Sequence, residues 1–116
     1  MGAVKGEKRR EALDEFLASL TSPVIVEGVK DAKALTALGV EEDIIILNKG
    51  LSLLETVEAI SDLDEVIILT DMDQQGKILR KKLLKLMNQY GIREGRRSRD
   101  LFARLRLSHV EGLTSC

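Results

Sequence analysis

The chain has 116 residues, 44% of them hydrophobic and 32% charged, which predicts one globular domain and excludes a disordered or fibrous chain. The single cysteine, Cys116, excludes a disulfide framework and a cysteine-based zinc site, and no apolar run is long enough to cross a membrane. The formal net charge of −1 hides an asymmetry, because residues 1–70 contain 7 Lys and Arg against 14 Asp and Glu, whereas residues 71–116 contain 11 against 5.

These bulk properties also bear on partners and location. A basic half fits a nucleic-acid partner, RNA or DNA, and ordinary solvated helices explain the same charge pattern equally well. The lone terminal cysteine, and the lack of a signal-peptide core behind the basic N-terminus, predict a cytoplasmic protein without a membrane partner. The sequence is compatible with a homodimer but does not specify one.

The first predicted element is a helix over residues 7–20. Its apolar residues recur at helical spacing and define one face, formed by Leu13, Phe16, Leu17 and Leu20. The segment "TSP" then ends this helix. We therefore assign residues 1–21 to an N-terminal helix and residues 22–116 to a single domain.

Short apolar runs alternate with helical patterns along the rest of the chain. The runs predict three strands buried in a parallel sheet, over residues 24–28, 43–50 and 65–73. Helices are predicted over residues 31–39, 52–60 and 77–91, the last with a basic outer face and with Tyr90 on its core face. A further helix over 98–107 and a fourth short strand over 107–110 complete the pattern, which is typical of an α/β fold.

Two of these strands end in acids. Glu27 follows "VIV", and Asp71 and Asp73 follow "VIILT". Three strands could be ordered 1-2-3 or 2-1-3, and in the second order ligands bind at the carboxyl ends of strands 1 and 3, where the chain changes direction. That order would bring all three acids together.

Carboxylates that converge in this way indicate a cation. Two residues apart, Asp71 and Asp73 point the same way if the strand geometry continues through them. Oxygen ligands without His or Cys favour Mg²⁺, as one or two ions, with Mn²⁺ as a substitute. The alternatives are that Glu27 is a solvated loop acid and that Asp73 caps the helix beginning near Lys77.

The motifs that carry these acids resemble the Toprim domain. This family is shared by topoisomerases, bacterial-type primases, overcoming-lysogenization-defect nucleases and a ribosomal-RNA maturase, and the resemblance covers about residues 22–90. The motif E-G-x-x-D-A occurs at Glu27, Gly28, Asp31 and Ala32, and D-x-D-x-x-G occurs at Asp71, Asp73 and Gly76. The first form is closer to the primase and maturase branch, and the chain most resembles small stand-alone Toprim proteins.

The resemblance implies a three-layer, Rossmann-like α/β fold. Its central parallel sheet would have about four strands, ordered 2-1-3 around the site, with helices on both faces. It also implies that Glu27 is a metal ligand or general acid/base, and that Asp71 and Asp73 hold Mg²⁺. No topoisomerase tyrosine domain and no primase zinc-binding region is recognised in this sequence.

Several other residues are candidates for substrate contact or for support of the acids. Asp31 caps a helix or assists the acids, Lys49 and Lys77 are placed to meet a phosphate, and Gly50 and Gly76 supply backbone freedom at turns. A basic loop follows the basic helix and could track a phosphate backbone or simply be solvated; it contains Arg93, Arg96, Arg97 and Arg99.

The leading functional hypothesis is a Mg²⁺-dependent enzyme of phosphodiester bonds in RNA or DNA, a nuclease (a hydrolase) in preference to a primase-like nucleotidyl transferase. The alternative is a non-catalytic module that binds Mg²⁺ and nucleic acid, alone or within a larger complex. A phosphoacceptor receiver domain is disfavoured, because that fold needs its acid pair after strand 1 and a lysine after a fifth strand.

Overall fold

The computed structural model describes residues 2–47, 50–105 and 110–115. The elements follow the predicted alternation of strands and helices. In chain order they are α1 (Gly2–Ala18), β1 (Val24–Val26), α2 (Val29–Ala37), β2 (Ile44–Ile46), α3 (Leu53–Ala59), β3 (Glu65–Ile68), α4 (Gln74–Gln89), β4 (Arg93–Glu94), α5 (Arg96–Arg104) and a 3₁₀ helix (Val110–Ser115).

The four strands form one parallel sheet in the order β2-β1-β3-β4. Val24 of β1 pairs with Ile44 of β2 on one side and with Ile67 of β3 on the other. The 2-1-3 order and the sheet of four strands are therefore confirmed. Because β1 lies at the centre and β2 and β3 flank it, the carboxyl ends of β1 and β3 are neighbours.

Helices cover both faces of the sheet, as a three-layer α/β fold requires. Successive residues of β1 and β3 point to opposite faces, so Ile25 and Ile68 enter one core and Val24 and Ile67 the other. The first core contains residues of α3 and α4, Val57, Leu83 and Met87 among them. The second core joins α1, α2, α5 and the 3₁₀ helix through Phe16, Leu20, Leu35, Leu101, Phe102, Val110 and Leu113.

The fourth strand is not the predicted one. Residues 107–109 of the strand predicted at 107–110 lie outside the described residues, and Val110 begins the 3₁₀ helix. The strand beside β3 is instead β4, where Glu65 pairs with Arg93. A two-residue polar strand at the sheet edge has no apolar periodicity, so the sequence predicted a loop at Arg93.

Two boundaries near the acids also differ from the prediction. β3 ends at Ile68, so residues 69–73 form a loop, and α4 begins at Gln74, three residues earlier than predicted. At the other end of α4, Tyr90 is the C-terminal cap and its side chain is exposed, so the core position predicted for Tyr90 is wrong.

Candidate functional site

Glu27 and Asp71 meet at the carboxyl edge of the sheet. Glu27 directly follows β1, and Asp71 follows β3, the strand beside it. The backbone N–H of Asp71 donates a hydrogen bond to Glu27 Oε2 over 2.5 Å. The strand order thus brings together two half-buried acids that are 44 residues apart in the sequence.

A cleft of about 590 Å³ opens beside these two acids. Its polar side contains Asp31 as well, and Glu111 from the 3₁₀ helix, a residue that the sequence pattern did not single out. The rest of the lining consists of Gly28, the cationic side chain of Lys30 and three leucines: Leu47, Leu53 and Leu79. The cleft therefore places a group of carboxylates against an apolar wall.

Two carboxylates of the cleft, Glu27 and Asp31, have a raised pKa. Burial is the largest cause of the raised pKa of Glu27, and repulsion from Asp71, Asp73 and Asp31 adds to it, against the hydrogen bond from the Asp71 amide. Burial likewise raises the pKa of Asp31, with repulsion from Asp71 and Glu111. This is the electrostatic signature of a site with excess negative charge.

Asp31 has a structural partner as well as a place in the cleft. Its carboxylate accepts a hydrogen bond from the backbone N–H of Gly28 over 3.1 Å, and the backbone N–H of Glu111 also lowers its pKa. Asp31 lies in the first turn of α2, where an acid favours the positive end of the helix dipole. It therefore caps α2 and contributes charge to the cleft at the same time.

Asp73 has a different local role from Asp71. Its Oδ1 accepts a hydrogen bond from the backbone N–H of Gly76 over 2.7 Å, which makes it the N-terminal cap of α4. Because β3 has already ended at Ile68, strand alternation does not orient the two acids, and that part of the prediction is wrong. Asp73 still lies close enough to Glu27 to raise its pKa.

Gly76 is needed for close packing rather than for a turn. It lies within α4, and a Cβ added to it would stand 1.8 Å from the backbone oxygen of Asp71. The hydroxyl of Thr70 fixes the same contact by donating to Gly76 O over 2.7 Å. The first turn of α4 is thereby packed directly on the backbone of Asp71.

The donor set of the cleft fits a hard divalent cation. Among the described residues, no three His, Cys, Asp or Glu side chains are arranged so that they could hold one metal ion. Mg²⁺ commonly needs only one or two carboxylates, and takes its other ligands from water and substrate phosphates. Glu27 and Asp71 satisfy that requirement, and their mutual repulsion is what a cation would relieve.

The predicted basic residues lie outside the cleft lining. Lys49 lies outside the described residues, and Lys77 is exposed on the first turns of α4. Arg96 and Arg97 are exposed at the start of α5, where Arg97 forms an ion pair with Glu15 of α1 over 3.2 Å. The structure therefore does not place Lys77, Arg96 or Arg97 in the cleft lining.

Arg99 is the residue at this site that the sequence reading misplaced. Predicted in a solvated basic loop, it is 6% exposed and lies in α5. Its guanidinium Nη1 donates to Ile68 O, Thr70 O and Thr70 Oγ1 over 3.1, 3.0 and 3.2 Å. Nη2 donates to Asp71 O over 3.4 Å. The apolar residues Leu101, Phe102 and Leu105 were the available signal that α5 has a buried face.

A scan against family models matches residues 22–101 to the Toprim domain. Within the described part of the chain, no helix is long and apolar enough to cross a membrane. A UPF0292 protein of Pyrococcus horikoshii is 38% identical over 111 residues, which cover 93% of this chain and 83% of that protein. Another from Methanocaldococcus jannaschii is 36% identical over 89 residues, covering 75% and 70%.

A solved structure, described as a putative protein from Aquifex aeolicus, superposes with a TM-score of 0.74 at 26% identity. The match covers 88% of this chain and 94% of that one. Residues 22–101, which match the family model, contain both acid motifs and all four strands of the sheet. The chain belongs to the Toprim domain family, and this membership indicates a metal-dependent function related to nucleic acids.

Proposed function

We propose that this protein is a Mg²⁺-dependent nuclease that hydrolyses phosphodiester bonds of RNA or DNA at the cleft beside Glu27 and Asp71. One observation supports this above all others: at the carboxyl edge of the sheet the backbone N–H of Asp71 donates to the carboxylate of Glu27, and the pKa of Glu27 is raised there by burial and by neighbouring acids. Clustered carboxylates with perturbed pKa values in a cleft are typical of functional sites.

Each acid has a distinct task in this proposal. Glu27 and Asp71 would hold the ion, and Asp73, which caps α4, would join them as an additional ligand. Mg²⁺, when bound, would supply charge to stabilise the reacting phosphate and to acidify a water molecule. Glu27 also takes up the proton of the attacking water or hydroxyl at Oε1, the oxygen that does not accept from the Asp71 amide. The raised pKa suits that task, because a carboxylate with a raised pKa is a better base.

Exposed lysines beside the cleft supply phosphate contacts. Lys30 lines the cleft itself. The exposed side of α4 adds a row of four more, Lys77, Lys81, Lys82 and Lys85. Phosphate contacts of this kind weaken as salt rises, so the affinity for nucleic acid should fall steeply between about 50 and 200 mM salt.

The test is a cleavage assay on structured RNA and on single-stranded DNA with Mg²⁺. We expect Glu27→Gln to lower the cleavage rate by about 100-fold or more, the usual effect of removing a group that transfers protons. Asp71→Asn should also lower the cleavage rate, because it removes the charge of a proposed metal ligand. Glu58→Gln, an exposed acid on α3, is the matched control and should cleave normally. Cleavage that persists in the Glu27→Gln, Asp71→Asn double variant would reject this site.

The absence of a three-ligand group among the described residues favours a second candidate, a module that binds Mg²⁺ and nucleic acid without cleaving it. Fluorescence anisotropy with labelled RNA and DNA separates the two. Binding that depends on Mg²⁺ and on Asp71, with no product after long incubation, would select the binding module.

A further inference from the structure

Arg99 is a buried cation whose hydrogen-bond acceptors are all uncharged. Its side chain donates to three backbone carbonyls and one hydroxyl, contributed by Ile68, Thr70 and Asp71. Removing a guanidinium from water is costly, and a buried arginine usually has a carboxylate to compensate. Arg80 shows the usual arrangement, because both its Nε and Nη2 bind the carboxylate of Glu94. Arg99 therefore has a placement that fold stability alone does not explain.

One peptide group connects Arg99 to the acids. The peptide between Thr70 and Asp71 accepts from Arg99 Nη1 at its carbonyl oxygen over 3.0 Å. The N–H of the same peptide donates to Glu27 Oε2. A guanidinium, a peptide and a carboxylate thus form one continuous chain of hydrogen bonds. Each bond polarises the next, and the charged groups at both ends strengthen the chain.

The charge of Arg99 acts on the same acids. Burial and the nearby Arg80 lower the pKa of Arg99, and the negative charges of Glu94, Glu27 and Asp71 oppose that change. An arginine keeps its proton under such conditions. The acids of the cleft therefore have a permanent positive charge near them, on a buried side chain that does not line the cleft.

We propose that Arg99 is a positioning residue: it fixes the Thr70–Asp71 peptide so that Glu27 and Asp71 stand together, and its charge offsets their repulsion before any ion binds. The inference rests on the proposed function for its purpose, but the geometry can be tested without metal or substrate. The hydroxyl of Thr70 extends the same support to Gly76 and the first turn of α4.

The test follows the backbone amide proton of Asp71 by NMR in ¹⁵N-labelled protein with EDTA. A short hydrogen bond to a carboxylate moves such a proton downfield, so Glu27→Gln should move it upfield and identify the bond. We expect Arg99→Met to move it upfield as well, and Arg99→Lys to move it less, since lysine keeps the charge. Arg80→Met, which removes the neighbouring, partly exposed cation, is the matched control and should leave the Asp71 signal in place.

Calorimetric titration with Mn²⁺ gives the second readout. Partners that orient metal ligands typically change metal affinity by 10–100-fold, so Arg99→Lys should weaken Mn²⁺ binding by about tenfold. Where Arg99→Met does not fold, the lysine variant is compared directly with wild type and with Arg80→Met.

The outcomes separate this inference from the proposed function. An Asp71 signal that stays in place in both Arg99→Lys and Arg99→Met overturns the positioning role. A signal that moves equally in both variants overturns the contribution of the Arg99 charge. Unchanged Mn²⁺ affinity in Arg99→Lys overturns the role in metal binding. A wild-type protein that binds no Mn²⁺ defeats the proposed function, and the amide signal still decides whether Arg99 positions the acids.

Discussion

Two carboxylates at the ends of β1 and β4, the strands on either side of β3, have opposite surroundings. Glu94, at the end of β4, is 6% exposed in its side chain and is held by Arg80 through two hydrogen bonds of 2.6 and 2.7 Å. Glu27, after β1, accepts one backbone hydrogen bond and lies among other acids. Within the described part of the chain, Glu27 has no ion pair with a cationic side chain.

Under the proposed function, the difference separates an acid with a structural role from an acid that binds a cation. The pKa of Arg80 is raised by its hydrogen bonds with Glu94, so this pair favours its charged form and stabilises the contact between α4 and β4. The pKa of Glu27 is raised, so the fold disfavours the charge of Glu27. A structural acid has a permanent partner inside the protein, whereas an acid kept for an exchangeable cation costs stability until the cation arrives.

The backbone beneath the cleft acids gives the largest expected effect. Gly76→Ala would force a Cβ to within 1.8 Å of Asp71 O, so α4 or residues 69–73 must move. We expect a loss of more than about 3 kcal/mol in the free energy of unfolding, although alanine is the better helix former by about 1 kcal/mol. Urea denaturation of the wild type and of the variant measures this loss.

Gly28→Ala is the control for Gly76→Ala, because its added Cβ would meet nothing closer than Asp31 Oδ2 at 4.0 Å. A Gly76→Ala variant as stable as Gly28→Ala would show that the site does not depend on this close approach.

Arg80→Met tests the structural half of the comparison. It leaves Glu94 buried without its guanidinium, which should lower the free energy of unfolding by about 3 kcal/mol. The matched control is Arg97→Met, which breaks the exposed pair with Glu15, in which the two side chains are 73% and 53% exposed. That variant should lose less than about 1 kcal/mol. Equal losses in thermal melts of the two variants would contradict the distinction.

Asp73 belongs to both halves of the comparison, since it caps α4 and is also a proposed metal ligand. Asp73→Ala should cost about 1 kcal/mol by removing the cap, whereas Asp73→Asn keeps a capping oxygen and should cost little. If Asp73 also binds the ion, both variants should bind Mn²⁺ more weakly in calorimetry. Normal Mn²⁺ affinity in Asp73→Asn would reduce Asp73 to a helix cap.

The first three strands could be predicted because each has a local signal, whereas β4 has none and the family resemblance was needed to choose the strand order 2-1-3. The runs "VIV", "III" and "EVII" are apolar and short, helical patterns separate them, and acids follow β1 and β3. The strand order 2-1-3 then explained why Glu27 and Asp71 should approach each other. That contact could be predicted because it follows from topology alone.

The supporting contacts could not be predicted because they depend on approaches between distant segments. In the sequence, Arg99 is chemically identical to the exposed Arg96 and Arg97, and only its contacts with Ile68 and Thr70 distinguish it. Gly76 reads as a turn residue until Asp71 O is found against it. Glu111 reaches the cleft from the 3₁₀ helix, which has no periodic signal of its own.

The smallest expected effect is the most direct test of the comparison. Glu27 has a raised pKa in the folded protein, so its contribution to stability is present below its ordinary pKa and is lost as pH rises through the folded value. At neutral pH with EDTA, Glu27→Gln should therefore melt at a higher temperature than wild type. The difference should shrink as the pH falls through the raised pKa of folded Glu27, and should vanish below about 4.5, where Glu27 is protonated in the folded and the unfolded protein alike.

Glu58→Gln controls for the loss of a surface charge, and its free energy of unfolding should lie within about 0.5 kcal/mol of the wild-type value. Excess Mg²⁺ should reverse the order of wild type and Glu27→Gln, since an ion at 100 times its Kd adds about 2.7 kcal/mol to the protein that binds it. If Glu27→Gln is instead less stable than wild type in EDTA, then Glu27 stabilises the fold as Glu94 does, and its raised pKa gives no reason to place a cation beside it.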